Sequence, residues 1–259
     1  MIFVTGDCHG EFSKLSYKSF PEQKEMTKDD FVIICGDFGA VWDYNGQNSS
    51  ERYWLKWLNE RNFITVFVDG NHENYDRLNN DYPIVDFHGG KAHKINDSVF
   101  HLLRGEIFDF QGLRFLAFGG AASHDISYGV LNKEDFKSEK HFKEKCRILR
   151  KRRQNFRINR VNWWEEELPS ELEIQNCENN LAKCNYKVDY VIAHSAPQSI
   201  VSNIQRESSG PDEINKLTAY FDDLCCRLKF NNWFFGHYHD NRKFMSKYVL
   251  LYEQVIRIK

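Results

Sequence analysis

The stretch Ile64-Thr65-Val66-Phe67-Val68-Asp69-Gly70-Asn71-His72-Glu73 decides the fold. A near-continuous run of β-branched and aromatic residues stops abruptly at a glycine loop, which suits a strand buried on both faces. The same form recurs on either side. Ile2-Phe3-Val4 ends in Thr5-Gly6-Asp7, and Phe31-Val32-Ile33-Ile34-Cys35 ends in Gly36-Asp37. Further along, Asp189 to Ala193 ends at His194-Ser195, and Trp233-Phe234-Phe235 ends at Gly236-His237-Tyr238-His239. Helical segments lie between these runs. Ser50 to Arg61 places Tyr53, Trp54, Trp57 and Leu58 on one face, and Leu217 to Leu228 reads as helix. Strand, loop and helix in repetition predict a layered α/β architecture, with ligands outside the carboxyl ends of the strands.

The rhythm changes between His93 and Phe118. Val99 to Leu103, Ile107 to Phe110 and Leu113 to Phe118 read as short antiparallel strands, with Gln111-Gly112 as a hairpin turn. Lys133 to Arg160 carries twelve Lys and Arg against four Asp and Glu, including Arg150-Lys151-Arg152-Arg153. Phe142, Cys146 and Leu149 recur there at helical spacing, so an amphipathic helix is expected. Glu165 to Glu178 is the opposite, with six Glu and no Lys or Arg, and Ser170 and Glu173 form a capping box. Tyr248 to Tyr252 and Val255 to Ile258 close the chain as two short strands. Without repeats or a Pro/Gly linker, one domain over 1–259 is expected, with 133–160 as a basic helical insertion within it.

Composition narrows the function classes. The 259 residues are 41% hydrophobic and 28% charged, with a formal charge of −2, so disorder and a globally basic nucleic-acid binder are both disfavoured. No apolar run approaches membrane-spanning length, and Met1 to Thr5 lacks the basic and apolar regions of a signal peptide. The seven cysteines are scattered, with no C-x-x-C pair, which reads as reduced thiols in a cytoplasmic chain. Cys8 and Cys35 are expected to pack as small apolar groups.

The polar residues after the strands carry the chemistry. Asp7, His9, Asp37, Asn71, His194, His237 and His239 supply carboxylate, imidazole and amide oxygen, the donors of Mn, Fe, Zn, Co or Ni. Seven donors exceed one tetrahedral ion and suit two divalent cations sharing a carboxylate, about 3.5–4 Å apart. A single histidine after a strand is commonly an ordinary loop residue. Five polar loops at the same end of five strands are far harder to assign to chance.

In these blocks the chain resembles the calcineurin-like metallophosphoesterases, whose pattern of D-x-H, GD, GNH(D/E), a lone His and GHxH is matched from Asp7 to His239. The resemblance implies a four-layer αββα sandwich, two mixed β-sheets flanked by helices. It assigns Asp7, His9, Asp37 and His239 to one ion, and Asp37, Asn71, His194 and His237 to the other. The implied activity is hydrolysis of phosphomonoester or phosphodiester bonds. Two divalent cations against two carboxylates leave the centre net positive, and they would lower the pKa of a shared water from about 16 towards neutrality to attack phosphorus. His72, beside Asn71, is the candidate proton donor to the leaving oxygen. The protein Ser/Thr phosphatase branch places an Asp and an Arg where this chain has Ala40 and Val41, so an orienting partner for His72 and an Arg on the phosphate are missing; Asp43 and Glu73 are near in sequence.

Arg104-Gly105, Gly119-Gly120-Ala121 with Ser123 and Asp125, Trp163-Trp164 before Pro169-Ser170, and Trp233 to His239 are similar instead to small bacterial and phage members of undefined substrate. Between Asp125 and Trp163 the chain is longer than that pattern. The added basic segment could grip nucleic acid through Arg150, Lys151, Arg152 and Arg153, with Phe142, Phe156 and Trp163-Trp164 stacking on bases. The plainer expectation is a solvated helix whose charge is balanced by Glu165 to Glu178 folding back beside it. A nucleic-acid phosphodiesterase is thus the alternative within the fold, and a binding scaffold without chemistry is a weaker one, since no expected donor is missing.

Overall fold

Alternate residues of the buried strands enter different cores, which is why their sequences read as almost uniformly apolar. The computed structural model describes residues 1–207 and 214–259. Its first sheet contains β1 (Ile2–Thr5), β2 (Phe31–Ile34), β3 (Ile64–Phe67), β4 (Ile84–Phe87), β5 (Gly90–Lys94) and β6 (Val99–Leu102). The second contains β7 (Glu106–Phe110) and β8 (Leu113–Phe118). β9 (Val130–Leu131) and β10 (Arg157–Ile158) form a separate parallel pair. The second sheet is completed by β11 (Tyr190–Ala193), β12 (Asn232–Phe235), β13 (Arg242–Phe244) and β14 (Tyr248–Leu250), whereas β15 (Val255–Arg257) joins the first. The helices are α1 (Ser49–Asn59), α2 (Tyr75–Asp81), α3 (Glu139–Lys151), α4 (Glu171–Lys183), α5 (Gln198–Glu207) and α6 (Lys216–Arg227).

The strand orders are β15-β1-β2-β3-β6-β5-β4 and β13-β14-β12-β11-β8-β7. Both sheets are mixed: β1, β2, β3 and β6 run parallel, as do β8, β11, β12 and β14, with antiparallel strands at the edges. Ile2, Val4, Phe31 and Ile33 point between the sheets, towards Phe115, Ile192 and Phe234 of the second. Phe3, Val32 and Ile34 point outward, under Leu55 and Leu58 of α1. Val191, Trp233 and Phe235 face outward from the second sheet, against Leu181 of α4, Ile200 of α5 and Phe221 of α6. Helix, sheet, sheet and helix therefore stack as the four expected layers.

The β7–β8 hairpin turns at Gln111 and Gly112, both with positive φ, as a two-residue primed turn requires. β6 was expected beside β7 but lies in the other sheet, and Leu103-Arg104-Gly105 crosses between them. The basic helix is shorter than its charge run. α3 begins at the Ser138 cap and ends at Lys151, with Arg153 at φ +54° and the Gln154 amide bonded to the Leu149 carbonyl. The next two positions on the buried face, Arg152 and Arg153, are exposed cations, so the apolar stripe is interrupted and the following turn is not held. On α1 it is Leu55 and Leu58 that are buried, Trp54 and Trp57 are half-buried, and Tyr53 is exposed.

The expected charge compensation between the basic and acidic segments is mostly absent. Arg160 pairs with Glu166 at 2.8 Å, but Glu178 pairs with Arg227, and Glu173 lies 3.5 Å from Arg104. Lys143 and Arg147 pair within α3, with Glu139 and Glu144. Arg150, Lys151, Arg152 and Arg153 have no carboxylate partner among the described residues. The α4 capping box of Ser170 and Glu173 forms as its sequence predicts. Cys8 and Cys35 are buried in the apolar cores, and all seven cysteines are free thiols. Among the described residues, no helix is long and apolar enough to cross a membrane.

Glu167 is buried beneath the loop after β8, where its Oε2 accepts the Ser123 amide at 3.0 Å. Burial pushes its carboxyl up to about 8, against the opposing pull of the Ser123 hydrogen bonds and Arg157. The folded state thus keeps a proton that the unfolded chain releases near pH 4.5, so this contribution to stability is full below that pH and is lost as pH rises towards 8. Glu167→Gln, which keeps the acceptor, should flatten the decline in melting temperature between pH 5 and 8 relative to the parent protein, as measured by thermal denaturation.

Candidate metal centre

Every expected donor stands at the carboxyl end of a strand. Asp7 and His9 follow β1, Asp37 follows β2, Asn71 and His72 follow β3, His194 follows β11, and His237 and His239 follow β12. Three strands belong to one sheet and two to the other, so the donors meet where the ends of the two sheets face each other. The His9 amide donates to the Asp37 carbonyl at 2.8 Å, and the His72 amide donates to Asp37 Oδ1 at 2.9 Å. The His237 amide donates to Asp7 Oδ1 at 3.0 Å. The carboxylates thus organise the loops as well as the chemistry.

Glycine provides the room for this convergence. A Cβ on Gly36, whose φ is +89°, would lie 2.2 Å from His194 Nδ1, and one on Gly236 would lie 2.0 Å from Asp7 Oδ1. Four of the seven expected donors, His9, Asp37, His237 and His239, themselves have φ between +44° and +71°. Non-glycine residues adopt that region at a cost, and its concentration here marks a site whose geometry is imposed by its surroundings.

Two tight groups form around the carboxylates. His239 Nε2 lies 3.1 Å and His9 Nε2 3.7 Å from Asp7 Oδ2, and the two nitrogens are 3.0 Å apart. His194 Nε2 lies 3.2 Å from Asp37 Oδ1, and its Nδ1 is 2.7 Å from the Cys35 carbonyl. That carbonyl accepts Nδ1–H and fixes the ring so that Nε2 faces Asp37. Burial alone would lower the His194 pKa, but Asp37 and Asp7 overcome it and raise it to about 10. Asp37, despite burial, is held well below the usual carboxylate range by His194, with His72 and His9 adding. Burial lowers His9 and His72 against the opposing pull of Asp37, and lowers His237 strongly, with His194 and His124 adding.

The donors fit divalent cations. Asn71 Oδ1 is buried without a hydrogen-bond partner, an arrangement that costs free energy unless a ligand completes it. Nitrogen and oxygen donors of this kind suit borderline metals. Among the described residues His237 falls outside the tightest donor groups, its ring centroid lying 5.0 Å from that of His194 and 4.7 Å from that of His124.

Comparison with known proteins settles the family, because the family model for calcineurin-like phosphoesterases matches residues 1–241. The chain belongs to the calcineurin-like phosphoesterase family. That family is one of dinuclear metal enzymes, and carboxylates and imidazoles able to hold a cation gather here around Asp7 and Asp37. The chain is also 28% identical over 153 residues to lariat debranching enzyme A of Xenopus laevis, covering 53% of this chain and 27% of that protein. Over 142 residues it is 28% identical to the lariat debranching enzyme of Danio rerio, covering 49% of this chain and 23% of that protein. It thus spans about a quarter of the length of the curated relatives it matches.

His72 lies among the candidate donors, but neither acidic neighbour in sequence touches it. Glu73 accepts the Gly39 and Gly70 amides, and Asp43 accepts from Asn45 and Asn48. The His72 ring instead packs near Trp42, with Nδ1 at 3.0 Å from His9 Nδ1 and Nε2 at 3.1 Å from Arg157 Nη2. Sequence reasoning passed over His124, quoted Asp125 only within a family likeness and included Arg157 only within the basic run, yet all three line one cavity of about 190 Å³ with Asp37, Asn71, His72, His237 and His239. The signal was faint: Arg157 alternates with Ile158, which packs inside the basic segment, so its own side chain faces the other way.

A second missed group supports the Asn71–His72 loop from below. Asp69 is buried against Arg104 and His101 Nε2 at 3.1 Å, and the single Tyr75 hydroxyl proton is shared between Asp69 Oδ2 at 2.9 Å and the Gly70 carbonyl at 2.6 Å. Burial would raise the Asp69 carboxyl, but Arg104 and His101 hold it well below its ordinary value. Arg104→Leu would leave that buried charge without its main partner. The expected loss is roughly 3–5 kcal/mol of stability, measured by chemical denaturation.

Proposed function

We propose that this phosphoesterase hydrolyses a phosphodiester in nucleic acid at a centre of two divalent cations. Asp7, His9, Asp37 and His239 would hold one cation, and Asp37, Asn71, His194 and His237 the other, with Asp37 shared. The observation that carries the reading is the unpartnered, buried Asn71 carbonyl oxygen beside two buried carboxylates and converging imidazoles. When bound, the cations supply Lewis-acid activation of phosphate and water. The chain's own residues orient that chemistry. The Cys35 carbonyl aligns His194, the Cys8 and His9 amides fix the Asp37 backbone, and His72 occupies the cavity beside the donors. His72 would supply the proton for the leaving oxygen.

Room on two sides favours a diester over a monoester. A cleft of about 770 Å³ runs from Asp7 and His9 to Tyr252 and Val255. The donor cavity also shares Asp125 with a separate groove of about 220 Å³ lined by Arg150, Gln154, Asn155 and Phe156. A phosphate with two substituents can extend both ways. Nucleic acid is favoured by the lariat debranching relatives and by the unpaired cations at Arg150 to Arg153. Base stacking narrows to the half-buried Phe156 and Trp163. Phe142 is enclosed in the core of the basic segment, and Trp164 is buried against Trp42 with its Nε1–H on Asp76.

Asp37→Asn should reduce Mn-dependent hydrolysis of bis(4-nitrophenyl) phosphate to background in a steady-state assay with measured metal content. Undiminished turnover would refute the ligand assignment, and a clear preference for 4-nitrophenyl phosphate would replace the diester reading by a monoester one. Changing Arg150, Lys151, Arg152 and Arg153 together to Ala should weaken single-stranded DNA or RNA binding and flatten its salt dependence, losing up to four phosphate contacts. Unchanged affinity and salt slope in fluorescence anisotropy would remove the basic segment from substrate binding.

A further inference from the structure

We propose that Arg157 is a phosphate-binding residue of the active site, supplied by the basic segment and aimed by Asp125. Its guanidinium is almost enclosed, with 10% of the side chain exposed, and it lines the same cavity as Asp37, Asn71 and His72. Nε–H donates to Asp125 Oδ1 at 2.8 Å, and Nη2 is also 2.8 Å from that oxygen. Nη1 donates to the Asn162 carbonyl at 3.2 Å. These contacts fix the plane of the guanidinium. Its remaining contact is of another kind: Nη2 lies 3.1 Å from His72 Nε2, so a cation is pressed towards the lone pair of an imidazole.

That arrangement is poor as a purely structural ion pair. Its one directly contacting carboxylate, Asp125, is half exposed, and a buried cation without full compensation is costly. It suits an anion that arrives later. A phosphate oxygen can replace the imidazole as acceptor and add a charge-assisted hydrogen bond. The backbone explains the aim. Arg157 pairs with Val130 in the β9–β10 ladder, and Ile158 turns the opposite way into the core of the segment. Where Val41 leaves no cation on the loop after β2, the basic segment returns one from across the cavity.

The inference rests on the reading that phosphate occupies this cavity, so its test includes binding as well as turnover. Isothermal titration of inorganic phosphate into metal-loaded protein is the primary measurement. Arg157→Ala should weaken phosphate at least tenfold and lower kcat/KM for bis(4-nitrophenyl) phosphate by about a hundredfold, the scale of losing one oxyanion donor. Arg157→Lys should recover part of both. Asp125→Asn, which loosens the tether at a half-exposed position, should weaken phosphate severalfold with melting temperature and metal content unchanged. This variant decides the matter if Arg157→Ala does not fold. Phosphate affinity equal to the parent's in either folded variant, Arg157→Ala or Asp125→Asn, would overturn the proposal. Parent protein that binds phosphate through Arg157 but turns over no ester would leave the proposal standing and sink the diesterase reading instead.

Discussion

Asp7 and Asp37 are buried side by side at the meeting of two sheets, and that placement is the constraint everything else answers to. A carboxylate out of water must be compensated, and here the compensation is distributed. Backbone amides of other loops donate to their oxygens, and His194 lies between them while anchored on the Cys35 carbonyl. Glycines remove the atoms that would block the approach. Because each loop satisfies a charge carried by another, the five loops form one cooperative unit. The strained backbone at four donors is supported by that mutual satisfaction.

The layered fold and the gathering of the seven polar residues at one end of its strands were legible because both follow local rules. A strand buried on both faces must be apolar at nearly every position, and the polar residue that ends it must be doing something else. The hairpin at Gln111-Gly112 and the capped start of α4 were readable for the same reason, since turn and cap chemistry depend on a few adjacent residues. The crossing from β6 to β7 was not readable. Short apolar strands separated by Leu103-Arg104-Gly105 look alike whether they pair together or part to different sheets.

What surrounds the donors was illegible for a related reason. Arg157 reaches His72 across 85 positions of sequence, and Asp69 meets Arg104 across 35. Neither pairing has a spacing signature, so each is visible only once the chain is folded. Charge composition was actively misleading. Adjacent basic and acidic runs invite mutual neutralisation, yet Glu178 serves Arg227 and Glu173 caps α4, leaving Arg150 to Arg153 in solvent. Helical periodicity placed the buried face of α3 correctly but overestimated its length, since the charge run continues where the apolar stripe stops.

The basic segment packs around Leu131, Phe142, Cys146, Leu149 and Ile158, a cluster distinct from the three cores that border the sheets. Its stability is therefore partly self-contained. Mutations that lengthen, shorten or recharge it need not disturb the sandwich that aligns the donors. The segment can therefore vary in length and charge as a module of its own, while the loops that gather Asp7, Asp37 and the histidines keep their places.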